Sequence, residues 1–224
     1  MAIPTAPAKQ RGRPRASDVR QRSEDLLAVA EAALVELGYE ATTLNLIAER
    51  ACVSKRTIYA KYGDKKGLLG AVLQRMGAGT FGPELLVEDG LPLIDGLRWR
   101  AERVLRNNLR PGSIAITAIA LRESKRFPEF LVTMYAAKRA YQQDPMQLYF
   151  ERFRDRGIIR DVDCGELASM FLWMLSEDMV HTVATGVSAD GSDEAIGRKA
   201  SLVADIIAGA IIRSDRHATA GTLP

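Results

Sequence analysis

Apolar positions near the start of the chain recur with a helical period. Leu26, Ala30, Ala33, Leu34 and Leu37 fall at i, i+4, i+7, i+8 and i+11, one face of a helix, and Gly38 stands where a left-handed C-terminal cap belongs. Thr42 and Thr43 offer hydroxyl N-caps to a short helix that contains Leu46, Ile47 and Ala48 and ends near Ala51. After a turn of Cys52, Val53 and Ser54, the Ser54 hydroxyl is placed to cap a second short helix, Lys55 to Lys61. Asp64 is placed to cap a longer one in which Leu68, Leu69, Val72, Leu73 and Met76 keep helical spacing. Two short helices across a tight turn, flanked by longer ones, make a helix-turn-helix unit.

The pattern then breaks. Residues 77–90 are Gly-rich with one Pro and mark a linker. Beyond it the spacing predicts helices at about 91–109, 112–125, 128–156, 164–185 and 193–213. Arg110-Pro111-Gly112, Phe127-Pro128, Gly157, Asp163 with Glu166, Gly186 and Ser192 punctuate their ends. Asp144-Pro145 interrupts the third of these stretches, so the helix either kinks there or restarts with Asp144 as cap. No alternating strand pattern is present, and the fold class expected is all-α: a three-helix DNA-binding unit over 17–76 and a larger helical domain over 91–213. Residues 1–16 are Pro/Ala-rich and then basic, and read as a disordered arm; 214–224 read as a flexible tail.

Composition narrows the class. The 224 residues are 47% hydrophobic and 26% charged, ordinary values for a folded chain. No apolar run approaches the ~18 residues of a membrane span, and the first residues lack a signal's apolar segment, so a cytoplasmic protein is expected. Cys52 and Cys164 stand alone, without the spacing of a metal site. Charge is uneven: residues 1–75 carry 13 Lys and Arg against 8 Asp and Glu, whereas the remainder carries 18 against 20. A basic N-terminal third suits nucleic acid.

Cations open two successive helices in that third. Lys55 and Arg56 follow the Ser54 cap, and Lys65 and Lys66 follow Asp64, although the positive end of a helix dipole disfavours each by ~0.3–1 kcal/mol. A phosphate oxygen offsets that cost, because helix N–H groups and ammonium groups then act on one anion, and Lys65 is the expected phosphate anchor. Thr57, Tyr59, Lys61 and Tyr62 supply donors and aromatic surface for a recognition helix. Thr43 is placed to hold a phosphate, although capping accounts for it equally well.

At this point the chain resembles a known family. Gly38-Tyr39-Glu40-Ala41-Thr42-Thr43, Ile47-Ala48, Val53 to Tyr59, Tyr62, Asp64-Lys65-Lys66 and Leu68-Leu69 resemble the DNA-binding domain of TetR-type transcriptional regulators over residues 20–75. The resemblance implies a homodimer that places residues 55–61 of each chain in successive major grooves of a pseudo-palindromic operator. It also implies a C-terminal domain that pairs through its last two helices and holds a small-molecule effector. Two departures stand out: Cys52 where the family usually has Gly, and Tyr62 where Phe is common. Either Cys52 takes a left-handed conformation costing ~1–2 kcal/mol, or the turn differs here. Arg122 to Phe130 resembles a segment of one branch of the family's effector domains.

Trp99, Met134, Tyr135, Met170, Trp173, Met174 and His181 are the candidates for lining an effector pocket, against a plainer role as core or dimer contacts. His181 and Glu177 have metal-compatible i, i+4 spacing but no third ligand, so no metal and no cofactor is expected. The pairing face expected is Val203, Ile206, Ile207, Ala210 and Ile211 on the last helix, with Phe171, Met174 and Leu175 on the one before. An enzyme is disfavoured by the lack of a Walker loop, HExxH or GxSxG and by only two histidines. An architectural DNA-coating protein remains the second alternative, and footprinting separates it from a regulator by uniform rather than discrete protection.

The arm carries its own expectation. Arg11-Gly12-Arg13-Pro14-Arg15 resembles an AT-hook core, in which the arginines track a narrow, electronegative minor groove. Removing residues 1–16 is expected to weaken operator binding more when the flanks are A·T-rich. Equal losses on A·T-rich and G·C-rich flanks at one salt concentration would instead identify a tail acting by charge alone.

Overall fold

The computed structural model describes residues 16–78, 80, 91–187 and 190–212. The arm with Arg11, Arg13 and Arg15, most of the 77–90 stretch and the 214–224 tail lie outside these residues, and Glu177 is described by its backbone alone. The described helices are α1 (Ala16–Ala41), α2 (Leu44–Arg50), α3 (Lys55–Tyr62), α4 (Lys65–Ala78), α5 (Leu93–Asn108), α6 (Pro111–Glu123), α7 (Pro128–Lys138), α8 (Asp144–Asp155), α9 (Cys164–Ala184) and α10 (Asp193–Ile211). A π-helical turn, Arg139–Gln143, joins α7 to α8. Among the described residues no helix is long and apolar enough to cross a membrane. Helix α4 continues two residues past Met76, into the stretch expected to be linker.

Local chemistry sets the helix ends. Gly38 breaks α1 with φ 81° and ψ 177°, a region essentially closed to residues with a Cβ. The break swings Tyr39 into the core, and the Thr42 hydroxyl donates to Gly38 O at 2.7 Å and Ala33 O at 3.0 Å, satisfying carbonyls the helix leaves unpaired. After α2, Cys52 N bonds Glu49 O at 3.1 Å and Val53 N bonds Ala48 O at 3.0 Å. These two bonds define a Schellman ending, in which the residue at Cys52 must be left-handed. Cys52 takes φ 51°, so this chain places a thiol where glycine is easiest, and the first of the two turn alternatives holds.

The helix restarts around the proline at 145, which stands in the first turn of α8, but Asp144 is not the cap. Asp144 is itself helical, at φ −60° and ψ −43°, and its side chain caps nothing. Its N–H instead bonds Arg139 O five residues back. Pro145 has no N–H to continue the regular ladder, and the widened turn absorbs the mismatch before α8 resumes.

Packing ties together the two units that the sequence separates. One core joins α1–α4 to α6 and α7: Leu34, Tyr39, Ile47, Ile58, Leu68 and Val72 pack with Ile116, Ile119, Phe130 and Met134. The other joins α5, α8, α9 and α10. The DNA-binding unit is therefore welded to two helices of the C-terminal domain rather than hinged at a free linker. The expected pairing face is also corrected. Val203, Ile207, Ile211, Phe171 and Leu175 are buried in the chain's own second core, with Met174 packed against it. The apolar and small residues that α10 exposes include Leu202, Ile206, Gly209 and Ala210, while α9 exposes Met170 and Trp173. The amphipathic period was read correctly, but its more apolar stripe serves the monomer.

Cys52 is exposed, so its replacement loses no packing. Cys52→Gly is expected to raise stability by about 0.5–1 kcal/mol, as relief of left-handed strain exceeds the entropy glycine adds to the unfolded chain. Urea denaturation checks this, and a lowered midpoint with unchanged slope would contradict the strain.

Candidate nucleic-acid interface and sensor cavity

Helix α3 is anchored from inside and decorated outside. Ile58 is its one buried residue, fixing which face looks outward. Ser54 caps it, accepting from Thr57 N at 3.1 Å, and the two hydroxyls lie 2.8 Å apart. Lys55, Arg56, Thr57 and Tyr59 are all exposed, with Tyr59 at 54%. No acidic residue occupies the first turn. Thr43 caps α2 by accepting from Leu46 N at 3.2 Å, the role that capping alone predicts.

The end of α3 is tied down. The Lys61 ammonium donates to Ser23 Oγ of α1, and the Tyr62 hydroxyl lies 3.2 Å from the same oxygen. These side chains brace α3 against α1 in this structure. The chain then turns tightly: Asp64 Oδ1 accepts from Gly67 N at 2.7 Å, and a Cβ on Gly67 would lie 1.9 Å from Tyr62 O. A side chain there would force α3 and α4 apart.

Lys65 and Lys66 part company at that point. Lys66 is exposed. Lys65 is half-buried, donates to Glu40 O at 3.1 Å and sits 4.2 Å from the centroid of the Tyr39 ring. Burial lowers its pKa below the ordinary lysine range, while the carboxylates of Glu123, Glu129 and Glu40 oppose that shift. Burial likewise raises the Tyr39 phenol, helped by Glu129 and Asp64. The Arg126–Glu40 ion pair closes this corner, where the ends of α6 and α7 meet the DNA-binding unit.

Two half-open pockets that share part of their lining form the two lobes of one cavity, named outer and inner by their distance from α4. The outer, about 130 Å³, lies among α6, α7, α9 and the π-helical turn. The inner, about 60 Å³, reaches Leu73, Met76 and Gly77 of α4. Thr117, Met134, Lys138 and Gln142 border both. Of the seven expected pocket residues, Met134, Tyr135, Trp173 and His181 line the outer lobe. Met170 points away, 57% exposed, and Met174 packs on the second core. Trp99 stacks instead with Arg103, 4.7 Å from its ring centroid. Sequence reasoning missed Lys138 and Gln142. The signal was there: Lys138 and Gln142 follow Met134 at intervals of four, placing two polar side chains near the face of a core methionine. The Glu177 side chain falls outside the description, so its pairing with His181 is untouched, and no group of metal-ligating side chains occurs among the described residues.

Comparison with known proteins adds independent information. Residues 26–72 match the family model described as bacterial regulatory proteins, tetR family, and residues 95–210 match the AefR-like transcriptional repressor, C-terminal domain. The uncharacterized HTH-type transcriptional regulator YvkB of Bacillus subtilis (strain 168) is 26% identical over 181 residues, covering 75% of this chain and 86% of its own. A putative TetR-family regulator from Mesorhizobium loti has the same fold, with TM-score 0.71 at 20% identity over 90% of this chain and 100% of that one. A TetR transcriptional regulator from Agrobacterium tumefaciens gives 0.70 at 21%, over 85% and 94%. With both of its halves matched by models of one family, this chain belongs to the TetR family of transcriptional regulators, which bind DNA through the helix-turn-helix seen here in α2 and α3.

Proposed function

We propose that this regulator is a repressor that binds a pseudo-palindromic operator as a homodimer and is controlled by a small molecule in the two-lobed cavity. The observation that carries this reading is the shared core: Met134 borders the cavity and also packs in the core that holds α1 to α4. A ligand pressing on Met134, or on Leu73 and Met76 in the inner lobe, acts on the helices that carry α3. Paired recognition helices must meet grooves about 34–36 Å apart, so a shift of a few ångströms in each chain breaks simultaneous docking. Ligand and operator affinities are then reciprocally linked.

At the DNA, Lys55, Arg56, Thr57 and Tyr59 divide between base edges and phosphates, with Ser54 and Thr43 holding helix starts near the backbone. Lys61 and Tyr62 support the orientation of α3 through Ser23. Lys66 is the phosphate contact at α4, and Lys65 positions the corner from inside. Lys66→Ala is accordingly expected to weaken binding to all sequences alike and to lower the salt slope by about one unit, since one counterion fewer is released. Lys65→Ala is expected to weaken binding with the slope unchanged. The opposite pattern, measured by titration across a salt series, would return the phosphate role to Lys65.

Pairing is assigned to the exposed faces of α9 and α10. Leu202, Ile206, Gly209 and Ala210 follow i, i+4, i+7 and i+8 on one side of α10, and small residues there permit close helix approach. Ile206→Glu buries a charge in that interface, so it is expected to yield monomers at micromolar concentration and at least tenfold weaker operator binding. Light scattering that still reports a dimer would move the interface elsewhere.

A further inference from the structure

The cavity presents one polar atom that the fold leaves unused, the side-chain oxygen of Gln142. Gln142 is only 6% exposed and is the one buried residue of the π-helical turn. Its Nε2 donates to Asn108 Oδ1 at 2.8 Å, and Asn108 Nδ2 donates onward to Ser176 Oγ at 3.2 Å. That chain fixes the amide plane and commits its nitrogen, while the carbonyl oxygen accepts nothing from the described protein and borders both lobes. The oxygen is not among the sealed, unpartnered atoms of the described residues, so it opens onto the cavity, where a bound donor reaches it. A widened helical turn is also a common device for aiming a side chain at a ligand. Gln142 therefore has the form of a ligand acceptor.

The surroundings restrict what the ligand can be. Lys138 borders both lobes one turn before Gln142, and Arg139 joins it at the outer lobe, held 3.5 Å from Asp144 at the surface. Among the described lining residues of either lobe, none is acidic. The walls are Leu131, Met134, Leu172 and Trp173. The outer lobe, about 130 Å³, is slightly smaller than the roughly 150 Å³ cavity that holds a benzene molecule, and the adjoining lobe of about 60 Å³ supplies the room that ring substituents need. Side chains one helical turn apart stand about 5–6 Å from one another, close to the span between substituents on opposite carbons of one ring.

Resting on the reading of this cavity as the effector site, we propose that it takes a single-ring aromatic acid bearing a hydrogen-bond donor, a hydroxybenzoate in type. The carboxylate faces Lys138 and Arg139, the ring lies against Met134, Leu131 and Trp173, and the ring hydroxyl donates to the Gln142 carbonyl oxygen. No covalent step is involved.

Trp99 and Trp173 are the chain's two tryptophans, and Trp173 lines the outer lobe. In the full-length Trp99→Phe protein, fluorescence therefore comes from Trp173 alone, and because Trp173 is also exposed on α9, titrations are run where light scattering shows one unchanging oligomeric state. Titration with 4-hydroxybenzoate is expected to change it saturably. Benzoate, lacking the hydroxyl, is expected to bind about two- to tenfold more weakly, the weight of one hydrogen bond, and Gln142→Leu is expected to erase that difference. 4-Hydroxybenzyl alcohol, lacking the acid, is expected to bind more weakly as well, and Lys138→Met should erase that second difference. Should Gln142→Leu fail to fold by circular dichroism, Gln142→Glu keeps the size and places a negative charge in the cavity. It is expected to weaken 4-hydroxybenzoate at least tenfold while leaving the alcohol unaffected. No saturable change, equal affinity for benzoate, or a hydroxyl preference surviving in Gln142→Leu would overturn the proposal. Operator affinity measured on the same samples separates the two readings. Gln142-dependent binding that leaves the operator untouched keeps this assignment and removes effector control, whereas operator release by a neutral compound with no hydroxybenzoate binding does the reverse.

Discussion

Tyr39 sits between Phe127 and Phe130, with ring centroids 5.3 and 5.0 Å away, because Gly38 turns the end of α1 through a conformation that other residues reach only with strain. The constraint acts from both sides: a Cβ on Gly38 would lie 2.7 Å from Glu123 Oε1, so the end of α6 closes on the bare backbone. The ring thereby becomes the point where the DNA-binding unit is fastened to α6 and α7. Lys65 sits over the same ring, and Arg126 reaches Glu40 beside it. Aromatic pairs of this kind contribute about 0.5–1.5 kcal/mol beyond the area they bury, small enough to be remade during a conformational change.

That fastening gives the division of labour a physical form. Core burial makes α1–α4 move with α6 and α7, while α5 and α8–α10 form a separate body around Phe150, Phe171 and Leu175. The cavity lies on the seam between the two, so a ligand there bears on both bodies at once. A regulator in which the cavity lay wholly inside one body would have no such purchase.

Much of this was legible from residue order, because the relevant physics is local. Ser54, Asp64, Asp163 and Ser192 all cap as hydroxyl or carboxylate N-caps should, and the left-handed strain at Cys52 followed from its place in the turn. What escaped were properties of packing. Val203 and Ile206 are three residues apart and similar in hydropathy, yet one is buried within the monomer and the other exposed, a choice made by α5 and not by α10. Lys65 and Lys66 are chemically identical neighbours, and only the position of Tyr39 and Glu40 decides which turns inward. Trp99, Met170 and Met174 looked like pocket residues by type, but type says nothing about which side of a helix meets a void.

The widened turn at Arg139–Gln143 also changes how helices α7 and α8 relate. An ordinary helix advances each residue by about 100° around its axis, so residues twelve apart, such as Met134 and Met146, stand on different faces of one rod, about 120° apart. Phe130 and Met134 upstream face one core, while Met146, Phe150 and Phe153 downstream face the other. One near-continuous helical rod thus serves two interiors, with the widened turn standing between the two stripes. Because that turn also lines the cavity through Arg139, Gln142 and Gln143, a change in chain length there reaches both interiors and the cavity at once.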